Sequence, residues 1–66
     1  MWIINADGNF ARNEKTGATC RIAHCSDNLY RVKRNYKTIG TFTEMTDARN
    51  FLAETVKKWN EADGNV

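Results

Sequence analysis

Between residues 29 and 46 the hydrophobic period of the chain changes from two to 3.6, and few folds accommodate that handover. Residues 29–42 read LYRVKRNYKTIGTF. In the first run Tyr30 and Val32 fall on one side and Leu29, Arg31 and Lys33 on the other, as alternate side chains of a strand do. Asn35-Tyr36 supplies a turn, and residues 37–42 return. There Ile39 and Thr41 share one face and Thr38, Gly40 and Phe42 the other. A bulge at Gly40 would bring both Ile39 and Phe42 to the core. From Thr46 onward, Ala48, Phe51, Leu52, Thr55, Val56, Trp59 and Ala62 fall in one stripe of a helical wheel. Thr46 is the expected N-cap, Asp47 suits the positive end of the helix dipole, and Gly64 is the expected C-terminal stop.

A hairpin and one amphipathic helix close only a small core, so the front of the chain has to contribute strands. Residues 1–5 alternate, with Trp2 and Ile4 opposed to Ile3. Asp7-Gly8 predicts a type I′ hairpin turn, and residues 9–12 return as a short edge. After a polar turn at residues 13–17, residues 18–25 alternate again, with Cys20, Ile22 and His24 opposed to Thr19, Arg21 and Ala23. Ser26-Asp27-Asn28 is the next turn. The expected fold class is therefore α+β, an antiparallel β-meander of three to five strands packed on one C-terminal α-helix. The strands lie within 1–43, the helix spans about 46–62, and a short flexible tail follows.

With 66 residues the chain makes a single domain, 1–66, and a domain of this size buries only about 60% of the surface it exposes when unfolded. A homo-oligomer is expected on that ground. No apolar run approaches the roughly 20 residues of a membrane span, and the start lacks the pattern of a signal peptide, so a cytoplasmic protein with no membrane contact is expected.

Cys20 and Cys25 sit five positions apart in one expected strand, which separates them by about 16 Å and turns them to opposite faces. A disulfide needs Cα atoms within about 7 Å, so both thiols are expected reduced. His24 points to the side of Cys20 but lies about 13 Å along the strand, too far to share a metal with it. No metal or cofactor is expected. His24 also has no nucleophile or acid at a spacing that would activate one, and Asp7, Glu14 and Asp27 all fall in expected turns. The residues point to binding rather than to an enzyme.

Charge is unevenly spread. Residues 1–43 carry seven cations against three carboxylates, and residues 44–66 carry three against five. A helix over one sheet face leaves Arg21, Arg31 and Lys33 together on the other, with Arg34 and Lys37 flanking the turn. These five are the expected residues for an anionic ligand or a nucleic-acid backbone; cations on a solvated sheet face also discourage edge-to-edge pairing. Ile3, Phe10, Leu29 and Tyr36 are left without a place in the core and are the expected interface with a partner or a second copy.

Two resemblances bear on this choice. Tyr30-Arg31-Val32, then Ile39-Gly40-Thr41-Phe42-Thr43 and Ala48, resemble the AP2-like and integrase arm-binding domains over residues 29–59. That resemblance implies a sheet in the major groove of duplex DNA braced by a C-terminal helix, with Arg21, Arg31 and Lys33 as DNA contacts and Arg34 and Lys37 on phosphates. The added strand at Trp2-Ile3-Ile4-Asn5 departs from it. The whole chain is similar to small one-domain proteins of Gram-positive bacteria and their phages. That likeness implies a phage-type accessory that binds and inhibits a host protein or sequesters an anionic ligand. Two functions stand side by side: a small non-catalytic binding module, and a DNA-binding domain that reads duplex DNA with its basic sheet face.

Overall fold

The computed structural model describes residues 1–64, the last two by backbone alone. Five strands, β1 (Trp2–Ile4), β2 (Phe10–Asn13), β3 (Thr19–His24), β4 (Tyr30–Arg34) and β5 (Lys37–Phe42), are followed by one helix, α1 (Met45–Gly64). The strands form one sheet in sequence order, each antiparallel to the next. The α+β meander expected from the periodicity is the architecture observed, at five strands.

Register decides which residues the helix covers. Ile4 pairs with Ala11, Ala11 with Cys20, Ile22 with Val32, Val32 with Gly40, and Tyr30 with Phe42. Directly paired residues share a face, so all of these look toward α1. Ala11, Cys20 and Val32 are fully buried beneath the fully buried Ala48 and Leu52, with Trp2 and Val56 beside them. Short side chains and a glycine make a trough along the middle of the sheet. The helix seats Leu52 there and keeps Phe51, Thr55 and Trp59 half-buried on its flanks. Ala62, at the end of the expected stripe, is exposed, because by that turn the helix has run past the sheet's packed centre.

The expected bulge is present. Val32 pairs with Gly40 and Lys33 with Thr38, which leaves Ile39 without a partner. The extra residue lets Ile39 and Phe42 both pack against the core. It also corrects one grouping: Thr38 pairs with Lys33 on the open face, whereas Gly40 and Phe42 face the helix. Gly40 is needed for closeness. A Cβ there would meet the Phe42 ring at 2.9 Å and the Phe51 ring at 3.0 Å, and those two rings pack with centroids 5.2 Å apart.

Other local expectations are corrected. Asp7-Gly8 does not form a two-residue type I′ turn, since Gly8 has positive φ (73°) and Asp7 does not. The loop is wider: the Asn5 N–H donates to the Phe10 carbonyl at 2.9 Å and the Gly8 N–H to the Asn5 carbonyl at 3.1 Å. The Asn5 side-chain oxygen accepts from the backbone N–H of Asn9 and Phe10, an asparagine turn that outcompetes the tighter hairpin. Strand β3 stops at His24, so Cys25 belongs to the following turn. There Asn28 takes positive φ (64°). The Ala48 N–H donates to the Glu44 carbonyl at 3.2 Å, so Glu44, not Thr46, is the N-cap, and Thr46 lies in the first turn with Asp47. The helix continues through Gly64 rather than stopping before it; the rest of the expected tail, residues 65–66, lies outside the described residues.

Both outward-facing backbone groups of Trp2 on the edge strand β1 are satisfied by one side chain of α1. The Trp2 N–H donates to Asn60 Oδ1 at 2.8 Å, and Asn60 Nδ2 donates to the Trp2 carbonyl at 3.1 Å. A side-chain amide here stands in for a sixth strand. It also blocks an edge that would otherwise invite pairing. Asn60→Ala removes both bonds and should cost about 1–2 kcal/mol. Urea denaturation measures this as a lower midpoint with unchanged slope, and an unshifted midpoint would show that water replaces the amide without loss.

Candidate functional site

The face of the sheet away from α1 is set by the same register. Ile3 pairs with Arg12 and Arg12 with Thr19; Phe10 pairs with Arg21, Arg21 with Lys33 and Lys33 with Thr38; Ala23 pairs with Arg31 and Arg31 with Thr41. Arg21 and Lys33 are thus directly opposite one another, with Cα atoms about 5 Å apart. Arg12 and Arg31 are diagonal neighbours of Arg21, about 7–8 Å away. None of the five strands contains an aspartate or glutamate. Like charges set directly opposite are destabilising in a sheet, and among the described residues no carboxylate pairs with Arg21 or Lys33 to relieve it.

The four cations are not equally available. Arg31 is held by Asp27 in the preceding turn, Nη1 to Oδ1 at 3.2 Å and Nη2 to Oδ2 at 2.7 Å. That two-pronged bond pulls the Asp27 carboxyl below its ordinary range, helped by the Leu29 N–H that Asp27 also accepts. It raises the already high pKa of Arg31. Arg12, Arg21 and Lys33 have no ion-pair partner among the described residues. Arg12 is not among the cations expected from the sequence: a period of two from Phe10 puts it on the face of Phe10, but which face of the sheet that is follows only from the register of β2.

The other two expected cations are elsewhere. Arg34 pairs with Lys37 across the β4–β5 turn and with Cys20 on β3, all on the helix side of the sheet. The Arg34 guanidinium carbon lies 4.7 Å from the centre of the Trp59 ring and 5.4 Å from that of Trp2. The two indoles themselves pack 4.7 Å apart. Arg34 therefore closes the aromatic end of the core as a cation over the indoles, and Trp59 forms part of this second basic place. Asn35 between them takes positive φ (55°) and fastens the turn to β3. Its N–H donates to the Thr19 carbonyl at 2.7 Å, and its side-chain oxygen accepts the Thr19 N–H at 3.1 Å.

The expected interface residues also divide. Ile3 and Phe10 are exposed diagonal neighbours on the open face, and Tyr36 is 94% exposed at the tip of the β4–β5 turn. Leu29 is half-buried at the opposite end of the sheet, away from the others. Both cysteines are free thiols. Burial pushes the Cys20 thiol up, opposed by the neighbouring Arg34, which leaves it a neutral core residue. His24 stacks on Tyr30 with ring centroids 4.5 Å apart. Among the described residues no cluster of His, Cys, Asp and Glu is arranged to hold a metal ion, and no helix is long and apolar enough to cross a membrane.

Comparison with protein-family models, with curated proteins and with solved structures returns no match to this chain.

The Arg31–Asp27 pair has a definite pH signature. The Asp27 pKa is depressed in the folded protein, so its contribution to stability is present above the ordinary aspartate value of about 3.9 and is lost as pH falls through the lower folded value. A carboxyl NMR titration should place the Asp27 midpoint below 3.9, roughly the unperturbed value, and Arg31→Ala should move it upward. An unmoved midpoint would mean that the Leu29 N–H alone sets it.

Proposed function

We propose that the protein is a binding module that takes a nucleic-acid phosphate backbone on its open sheet face. The observation that carries this reading is the Arg21–Lys33 pair, flanked by Arg12 and Arg31, on a sheet with no acidic residue in any strand. Folding gains nothing from placing two cations opposite each other, and a polyanion removes their repulsion. Arg31, occupied by Asp27, acts as a fixed border, and Arg12, Arg21 and Lys33 neutralise phosphates. Phe10 and Ile3 beside them offer apolar surface to bases or sugars.

The resemblance over residues 29–59 supports the same direction, since a sheet braced from behind by a helix can present side chains to a groove. The sheet here is about 19 Å across its five strands at the usual spacing. That is wider than the roughly 12 Å major groove, so only part of it enters a duplex, whereas a single strand lies along the whole face. A second reading is favoured by Ile3 and Phe10 being exposed neighbours: a protein partner, such as a host factor that the module inhibits, or a second copy, would cover them. In that case binding is apolar and insensitive to salt.

Fluorescence anisotropy with labelled single-stranded and duplex oligonucleotides, across a salt series, separates the two. Affinity should fall with log salt at a slope of about −0.7 per neutralised phosphate for a single strand and about −0.9 for a duplex. Arg21→Ala combined with Lys33→Ala should flatten the slope by about two such steps and leave the fold intact. No binding at low salt, or a slope unchanged in the double variant, overturns the nucleic-acid reading. A sedimentation mass above that of the monomer, lowered by Ile3→Asp, would support the second copy instead.

A further inference from the structure

The cleft on the helix side of the β4–β5 turn is lined by Arg34, Asn35, Tyr36, Lys37, Ile39 and Trp59 and has a volume of about 660 Å³. Ligand sites commonly span about 300–1,000 Å³. Its walls combine two cations, an exposed phenol ring, an indole and an aliphatic floor, with no carboxylate among them. The geometry points to a nucleotide site: a 5′-phosphate held by Arg34 and Lys37, and its base laid against Tyr36 and Trp59. Its cations Arg34 and Lys37 stand on the helix side of the sheet, although around the turn Asn35 and Tyr36 also border a hollow of the open face with Phe10 and Arg21.

The arrangement of Arg34 is the main reason. Its guanidinium carbon lies over the Trp59 and Trp2 rings, so the group is held against aromatic surface while its N–H donors have no carboxylate partner among the described residues. A guanidinium held against two rings is partly ordered before a ligand arrives, which lowers the cost of recognising a phosphate. Lys37 is its direct cross-strand partner, which places a second positive charge alongside. Two adjacent cations match a phosphate dianion; a monoanion would leave one of them uncompensated. Asn35 is locked by its two hydrogen bonds to Thr19, so the turn that carries Tyr36 and Lys37 is held in place. Tyr36, at 94% exposure, has no role in the core and is free to stack on a base.

Trp59 lines the cleft, so tryptophan fluorescence and the indole N–H NMR signal report occupancy directly. Adenosine 5′-monophosphate should bind about tenfold or more tightly than adenosine, the loss expected when charged hydrogen bonds are removed. Lys37→Ala, at an exposed position, should weaken AMP by about tenfold. Arg34→Lys keeps the charge but loses the planar fork and should weaken it comparably. Arg12→Ala with Lys33→Ala, neither of which borders the cleft, should leave AMP affinity within about twofold, whatever that pair does to oligonucleotide binding, so the two sites fail or succeed separately. Short oligonucleotides with and without a 5′-phosphate distinguish the source. A phosphate-dependent gain there assigns the cleft to strand ends, and a gain confined to AMP assigns it to free nucleotides. Equal binding of AMP and adenosine, or an AMP affinity unchanged in Lys37→Ala, overturns the site.

Discussion

A single helix can bury only one face of a sheet, and the rest of this structure follows from how that one burial is made. Ala11, Cys20, Val32 and Gly40 form a shallow trough into which α1 lowers Leu52, with Ala48 and Val56 on either side. Larger residues at those strand positions would lift the helix and open voids along its length, and close packing is where a core of this size draws its stability. The absence of a Cβ at Gly40 is part of the same constraint, because the Phe42 and Phe51 rings occupy the space that it leaves.

The ends of the helix are fastened by different chemistry. At the start, the bulge at Ile39 turns Phe42 inward and the Glu44 carbonyl begins the helical ladder. Toward the other end, Asn60 pairs with both backbone groups of Trp2, and the tilted Trp2–Trp59 contact is closed by Arg34. Polar and cationic groups therefore finish a core that hydrophobic area alone would leave ragged. This removes Arg34 from the open face and places it, with Lys37, where an aromatic platform and two positive charges meet.

Segregation of charge comes from the same burial. The acidic residues outside α1 and its N-cap, Asp7, Glu14 and Asp27, lie in turns, and the strands hold only cations. The open face is consequently basic with apolar residues at its edge, and one of its four cations, Arg31, is already committed to Asp27. Binding to a polyanion and solubility of the bare sheet make the same demand on these residues; the direct apposition of Arg21 and Lys33 is the feature that solubility does not require.

Alternation along residues 18–25 and 29–42 and the 3.6 period from residue 48 onward were enough to determine an antiparallel meander of three to five strands, the helix, and the sides on which Arg21, Arg31 and Lys33 stand, because side-chain direction in a regular element is a local property of the backbone; that the strands number five was decided by the pairing of β1 and β2. Gly40 marked its bulge for the same local reason. Three more things had to wait for the tertiary structure. The width of the Asn5–Phe10 loop was decided by side-chain hydrogen bonds of Asn5 that compete with the Asp-Gly preference. Arg12 entered the open face only once β2 had a register. The division of one apparent basic cluster into an open-face group and the Arg34–Lys37 pair depended on Trp2 and Trp59, 57 positions apart, meeting over β4. Spacing along a chain carries no information about such a meeting, since it is set by where the helix comes to rest on the sheet.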